Sequence, residues 1–166
     1  MAVELIIATF KDDENKAEEL LKRIKELEKQ KALKVVDIAA ITRPKEGAVR
    51  VMDIGDVAPK RGVVFGAITG GLLGLMVGPV GAVVGALAGA ATGGATAKLA
   101  DYGVSNRLIK DIQNSLEPGS SAAIVYVEMK WVDKAIIRLE EQGAEVIHET
   151  LESDNVDPLL ESKKRG

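Results

Sequence analysis

Between Gly62 and Ala97 the chain runs GVVFGAITGGLLGLMVGPVGAVVGALAGAATGGATA, 36 residues without one charged side chain. Glycine falls at every fourth position, at Gly62, Gly66, Gly70, Gly74 and Gly78, and after Pro79 at Gly81, Gly85, Gly89 and Gly93. Four residues is close to one helical turn, so each series draws a stripe of glycine down one helix face. Glycine inside a helix costs roughly 0.8–1 kcal/mol against alanine, so about eight such positions cost on the order of 6–8 kcal/mol, as much as a small domain's whole stability. Only close backbone approach along the stripe offsets a loss of that size. The spacing predicts a glycine-zipper helical hairpin that turns at Gly78-Pro79 and packs against further copies of itself.

The flanks are of another character. Charged residues make up 28% of the chain and all lie outside this stretch, so the ends are soluble in composition and the middle is not. A net charge of −3 and 3% aromatic residues argue against nucleic acid, which asks for basic surface and stacking platforms. No cysteine is present, which removes disulfides, thiolate chemistry and cysteine-ligated zinc. The opening MAVELIIATF has an acidic residue at Glu4 and no basic leader, as expected of a strand and not of a secretory signal.

In chain order, Glu4–Phe10 is a β-rich run that ends at Lys11-Asp12-Asp13, where Asp12 or Asp13 is placed to cap a helix. Ala17, Leu20, Leu21, Ile24 and Leu27 then recur at helical spacing up to about Gln30. Lys34–Thr42 and Ala48–Ile54 read as strands joined by a short Pro/Gly loop, hence as a hairpin. After the glycine segment come a helix over about Ser105–Leu116, a strand over Ser121–Met129, and a helix from Trp131 to Gln142 closed by Gly143 as C-cap. A strand over Ala144–Thr150 completes the order. This β-α-β-β, α-β-α-β order predicts an α+β, ferredoxin-like two-layer sandwich with its helices on one face. The expected division is 1–59 and 100–150 as the two halves of that domain, 60–99 as the inserted hairpin and 151–166 as a flexible tail.

The ELIIATF strand, the acidic amphipathic helix, KVVDIAAITR, VRVMDIGD and the charge-free GxxxG segment together resemble prokaryotic domain-of-unknown-function family 1269. The resemblance spans about residues 4–150, and DIGD leading into the zipper is its most specific part. It implies membrane association or self-assembly and transfers no catalytic residue.

As helices, the arms Gly62–Val77 and Val80–Ala97 are about 24 and 27 Å long, a little short of a hydrocarbon core of about 30 Å. Lys60, Arg61 and Lys98 bracket them on one side, as a two-pass hairpin with a cytoplasmic domain requires. The second arm is mostly alanine and glycine, a poor surface for lipid. A water-soluble oligomer with the hairpins at its centre is therefore the competing expectation.

Chemistry is sparse. Neither GxGxxG nor GxxxxGK[ST] occurs. His148 is the only histidine, and it reads as a surface residue; Asp12, Asp13 and Glu14 read as helix capping before they read as a cation site. Asp53 and Asp56 are placed to pair with Lys60 or Arg61, and Trp131 reads as core packing with interfacial anchoring as the alternative. The expectation is a non-enzymatic structural or interaction protein, self-associating at the cytoplasmic membrane, with itself and membrane lipid as partners, no nucleic acid, no metal and no cofactor. A soluble self-assembling or ligand-sensing module is the alternative, and any small-molecule ligand is left open.

Overall fold

The computed structural model describes residues 2–46, 49–53, 71–72, 83–84, 103–113 and 116–152. In order these form β1 (Ala2–Phe10), α1 (Lys16–Lys29), β2 (Asp37–Arg43), β3 (Val49–Asp53), β4 (Val83–Val84), α2 (Asn106–Gln113), β5 (Ser120–Glu128), a 3-10 turn (Met129–Trp131), α3 (Val132–Glu141) and β6 (Glu145–Glu152). Among the described residues the protein is an α+β structure with five antiparallel strands in the order β3-β2-β5-β1-β6 and the three helices α1, α2 and α3. The two-residue β4 is appended to the β3 edge in parallel, Val49 opposite Val83.

β1 and β2 flank β5, and β5 and β6 flank β1, so the units β1-α1-β2 and β5-α3-β6 are interleaved. β5 pairs with both of its neighbours over most of its length, Ile7 opposite Ile124 on one side and Ala39 opposite the same residue on the other. β2 and β3 form the expected antiparallel pair, Ile41 opposite Val51.

Both faces of the sheet are covered. On one face Ile6, Ala8 and Phe10, the even positions of β1, and Ala123, Val125 and Val127, the odd positions of β5, pack with Ala17, Leu20, Leu21 and Ile24 of α1 and with Ala135 and Leu139 of α3. The odd positions Val3, Leu5 and Ile7, with Ala122, Ile124 and Tyr126, pack instead with Leu108, Ile109 and Ile112 of α2 and with Leu72. The expected two-layer sandwich with helices on one face is thus corrected to helix, sheet, helix. The cause lies in the central strands: β1 is buried at every position from Val3 to Phe10, with apolar residues on both faces that one helical layer leaves half exposed.

The N-terminus of α1 is tied into the sheet. Asp13 Oδ1 accepts the N–H groups of Asn15 and Lys16, both at 3.0 Å, so Asp13 is the capping aspartate. The next helical donor, Ala17 N–H, goes to Ser121 Oγ on β5 at 3.1 Å, and that hydroxyl donates to the Asp13 carbonyl at 2.6 Å. At the helix C-termini Gly143 holds φ +88° after α3 as expected, and Lys31 holds φ 58° after α1. Both ends close in the same manner, with Ala144 N–H donating to the Leu139 carbonyl and Ala32 N–H to the Leu27 carbonyl.

Candidate functional site

The stepped glycines from Gly62 to Gly93, with Pro79 and the boundary charges Lys60, Arg61 and Lys98, all lie outside the described residues, as do Asp56 and residues 153–166 of the expected 151–166 tail, whose first two residues, Leu151 and Glu152, belong instead to β6. Within the glycine segment, Gly71 and Leu72 are helical and buried. Leu72 is 0% exposed and belongs to the core beneath α2. Val83 and Val84 are extended, so at these two positions the expected helical second arm is corrected: their backbone pairs with β3, and β-branched valines suit that conformation. Among the described residues no helix is long and apolar enough to cross a membrane.

Two arrangements outside the glycine segment bear chemical groups. The first lies on β1 and β6. Glu4, only 3% exposed, accepts from Thr150 Oγ1 at 2.6 Å and pairs with His148 Nδ1 at 2.5 Å. Register causes this meeting, since Glu4 is opposite Thr150 and His148 is two residues along the same face. His148 is at the surface as expected, its side chain 47% exposed, and is held there by a buried carboxylate. Together the histidine and the threonine hydroxyl give the buried Glu4 carboxyl group its hydrogen-bond partners beside the sheet edge.

The second arrangement is a cleft of about 120 Å³ between α1 and α3. Its walls and floor are apolar, from Leu20, Ile24 and Leu27 of α1, Val125 of β5 and Ala135 and Leu139 of α3, with Leu33 and Val35 completing one end. Three polar side chains line it, Arg23 from α1 and Arg138 and Gln142 from α3 and its cap. Helical spacing predicts the apolar residues, but not that two arginines from helices over a hundred residues apart share one opening.

The remaining candidates are structural. Glu14 Oε1 accepts Lys45 N–H at 2.9 Å and Asp13 caps α1, so both are engaged with backbone amides. Trp131 packs against the core beneath α1 and α3, with Lys134 Nζ 5.3 Å from its ring centroid, as the core-packing reading expects. Its buried Nε1 has no hydrogen-bond partner. Among the described residues no three His, Cys, Asp or Glu side chains converge as a metal site would require. Just after β1, Lys11 has its pKa raised above the usual 10.5 by its hydrogen bond to Glu145 at the start of β6 and then by that carboxylate's charge.

Sheet, helices and cleft define an α+β protein built on a five-stranded antiparallel sheet with helices on both faces. Residues 63–162 match the family described as a protein of unknown function (DUF1269), and the chain belongs to that family. The match takes in the glycine-rich segment and everything from α2 to β6. It leaves out β1 to β3 and the DIGD segment, so the wider resemblance over residues 4–150 is supported in its C-terminal part. No curated protein and no solved structure matches the chain.

Proposed function

We propose that this protein is a non-enzymatic interaction module that self-associates through a glycine zipper formed by residues 62–97, with that segment lodged in or at the cytoplasmic membrane and the α+β domain on the cytoplasmic side. One observation carries the proposal: 36 consecutive residues without charge, with glycine stepped by four along both arms. The strand order β6-β1-β5-β2, with crossovers α1 and α3, supports a ferredoxin-like core that carries the segment as an insertion. The layer containing α2 and the β3 strand are additions to that core.

A second reading, a soluble assembly with the glycine segment at its centre, is favoured by Leu72. A side chain with no exposure in the core beneath α2 ties part of the first arm to the protein's own sheet and not to lipid.

The deciding experiment is cell fractionation followed by light scattering of purified protein without detergent. Membrane pelleting supports the first reading, and a large detergent-free oligomer in the soluble fraction supports the second. A monodisperse monomer refutes both. Replacing Gly70 and Gly85 with leucine is expected to disrupt assembly in either case, and an unchanged particle after those substitutions refutes glycine-face packing.

A further inference from the structure

We propose that the cleft between α1 and α3 binds a small aliphatic carboxylate of about four to six carbons, its tail on the apolar floor and its carboxylate held between Arg23 and Arg138. This site is on the α+β domain and stands apart from the reading of the glycine segment.

Size sets the tail. An apolar cavity of about 150 Å³ holds one benzene ring, so the 120 Å³ here takes about five or six heavy atoms and excludes a lipid acyl chain. The floor is already desolvated, since Ile24 is 5% exposed, Leu139 2% and Val125 1%, so an apolar body entering it displaces poorly held water.

Charge sets the head. Arg23 and Arg138 come from the two opposing helices, and no acidic side chain is among the lining residues. The present contacts of these arginines are long: Arg23 Nη1 to Gln142 Oε1 at 3.4 Å, and Arg138 Nη1 to Glu141 Oε2 at 3.5 Å with both partners more than half exposed. Such contacts give way to a planar carboxylate, which a guanidinium binds through two parallel hydrogen bonds. The C-terminal end of α3 works against an anion on this bank. Its last carbonyls are occupied, Leu139 by the N–H groups of Gln142 and Ala144 and Glu140 by that of Gly143, which leaves the arginine charge dominant. A primary amine with the same tail has no acidic partner in the cleft.

The test is saturation-transfer NMR on the full chain, which tolerates a large particle, with hexanoate, hexylamine and inorganic phosphate as probes. Hexanoate is expected to bind saturably with a Kd of about 1 mM, near the range open to a ligand of this size, while hexylamine and phosphate give no transfer at the same concentrations. Arg23→Gln with Arg138→Gln, both exposed positions, is expected to weaken hexanoate about tenfold. Ala135→Leu fills the floor and is expected to abolish binding where the variant folds. Absence of saturable hexanoate binding overturns the proposal, as does equal binding of hexylamine or phosphate, or an unchanged affinity in the double arginine variant. Particle size is not read in this experiment, so its failure leaves the self-association proposal standing.

Discussion

Leu72→Ala is the substitution that most sharply tests whether the first arm of the glycine segment is docked on the domain's own sheet. Leu72 is completely buried in the cluster that also holds Ile112 of α2 and Leu151 of β6, each likewise at 0% exposure. Truncating a leucine in such a site loses the transfer free energy of three carbons and leaves a cavity that its surroundings refill only in part. Buried leucines of this kind lose roughly 2.7–5 kcal/mol on truncation to alanine. Leu151→Ala is the internal standard, since it lies in the same core but on a strand that belongs to the domain under either reading. Equilibrium urea unfolding, followed by far-UV circular dichroism under identical solvent conditions, is expected to give losses of similar size for both variants, with unchanged m-values. A lipid-embedded or intersubunit Leu72 leaves domain stability nearly intact while Leu151→Ala still lowers it. A loss below about 1 kcal/mol at Leu72 beside a full loss at Leu151 refutes the docking of the first arm on the sheet.

Ser121→Ala strands the buried Ala17 N–H and removes the donor to the Asp13 carbonyl, and is expected to cost about 2–3 kcal/mol in urea unfolding with faster amide exchange in the first turn of α1. Lys31→Gly relieves a lysine held at φ 58° and is expected to raise stability by about 1 kcal/mol, whereas Gly143→Ala, at φ +88° with open space around its Cβ, loses about the same for purely conformational reasons; thermal melts read both. Removing both donors to Glu4, with His148→Ala and Thr150→Ala together, leaves a buried carboxylate stripped of these partners. It is expected to cost about 3 kcal/mol, more than Glu4→Leu, which removes the charge itself. Because the Lys11 pKa is raised in the folded state, its pairing with Glu145 contributes below pH 10.5 and is lost as pH rises through the higher folded value. The difference between wild type and Lys11→Met is therefore expected to be flat from neutral pH to about pH 9 and to vanish in strong alkali.

Local rules were enough for much of this fold. Leu20, Leu21 and Ile24 announce the buried stripe of α1 by spacing, Gly143 announces the cap of α3 because few other residues take that φ, and the short loop between β2 and β3 enforces their pairing. What escaped depends on partners distant in the chain. Ser121 caps α1 from 104 residues away, and no pattern near Ala17 points to it. Glu4 opens a β-rich run with nothing beside it to name a partner, and its burial follows from β6 lying beside β1, which brings Thr150 and His148 within reach. The second helical layer escaped because the run LIIATF does not declare whether one face is buried or two. Lys31 shows the opposite failure, a left-handed residue that carries no glycine to mark it.

The sheet also decides how the two proposed activities relate. The cleft opens on the face under α1 and α3, while Leu72 and α2 occupy the opposite face, with β1, β2 and β5 between them. On β5 the alternation is strict: Val125 lines the cleft, and its neighbours Ile124 and Tyr126, both at 0% exposure, face the other way. A ligand in the cleft touches none of the described residues on the far face, so its influence on Leu72 and α2 must pass through a shift of these central strands. They are fixed on both edges by paired neighbours and on both faces by close packing, and a close-packed interior does not yield gradually. Among the described residues nothing supplies the second discrete packing that coupling needs. Hexanoate is accordingly expected to raise the melting temperature of the domain and leave the particle size unchanged, and a ligand-dependent change in light scattering would show a second state of the sheet.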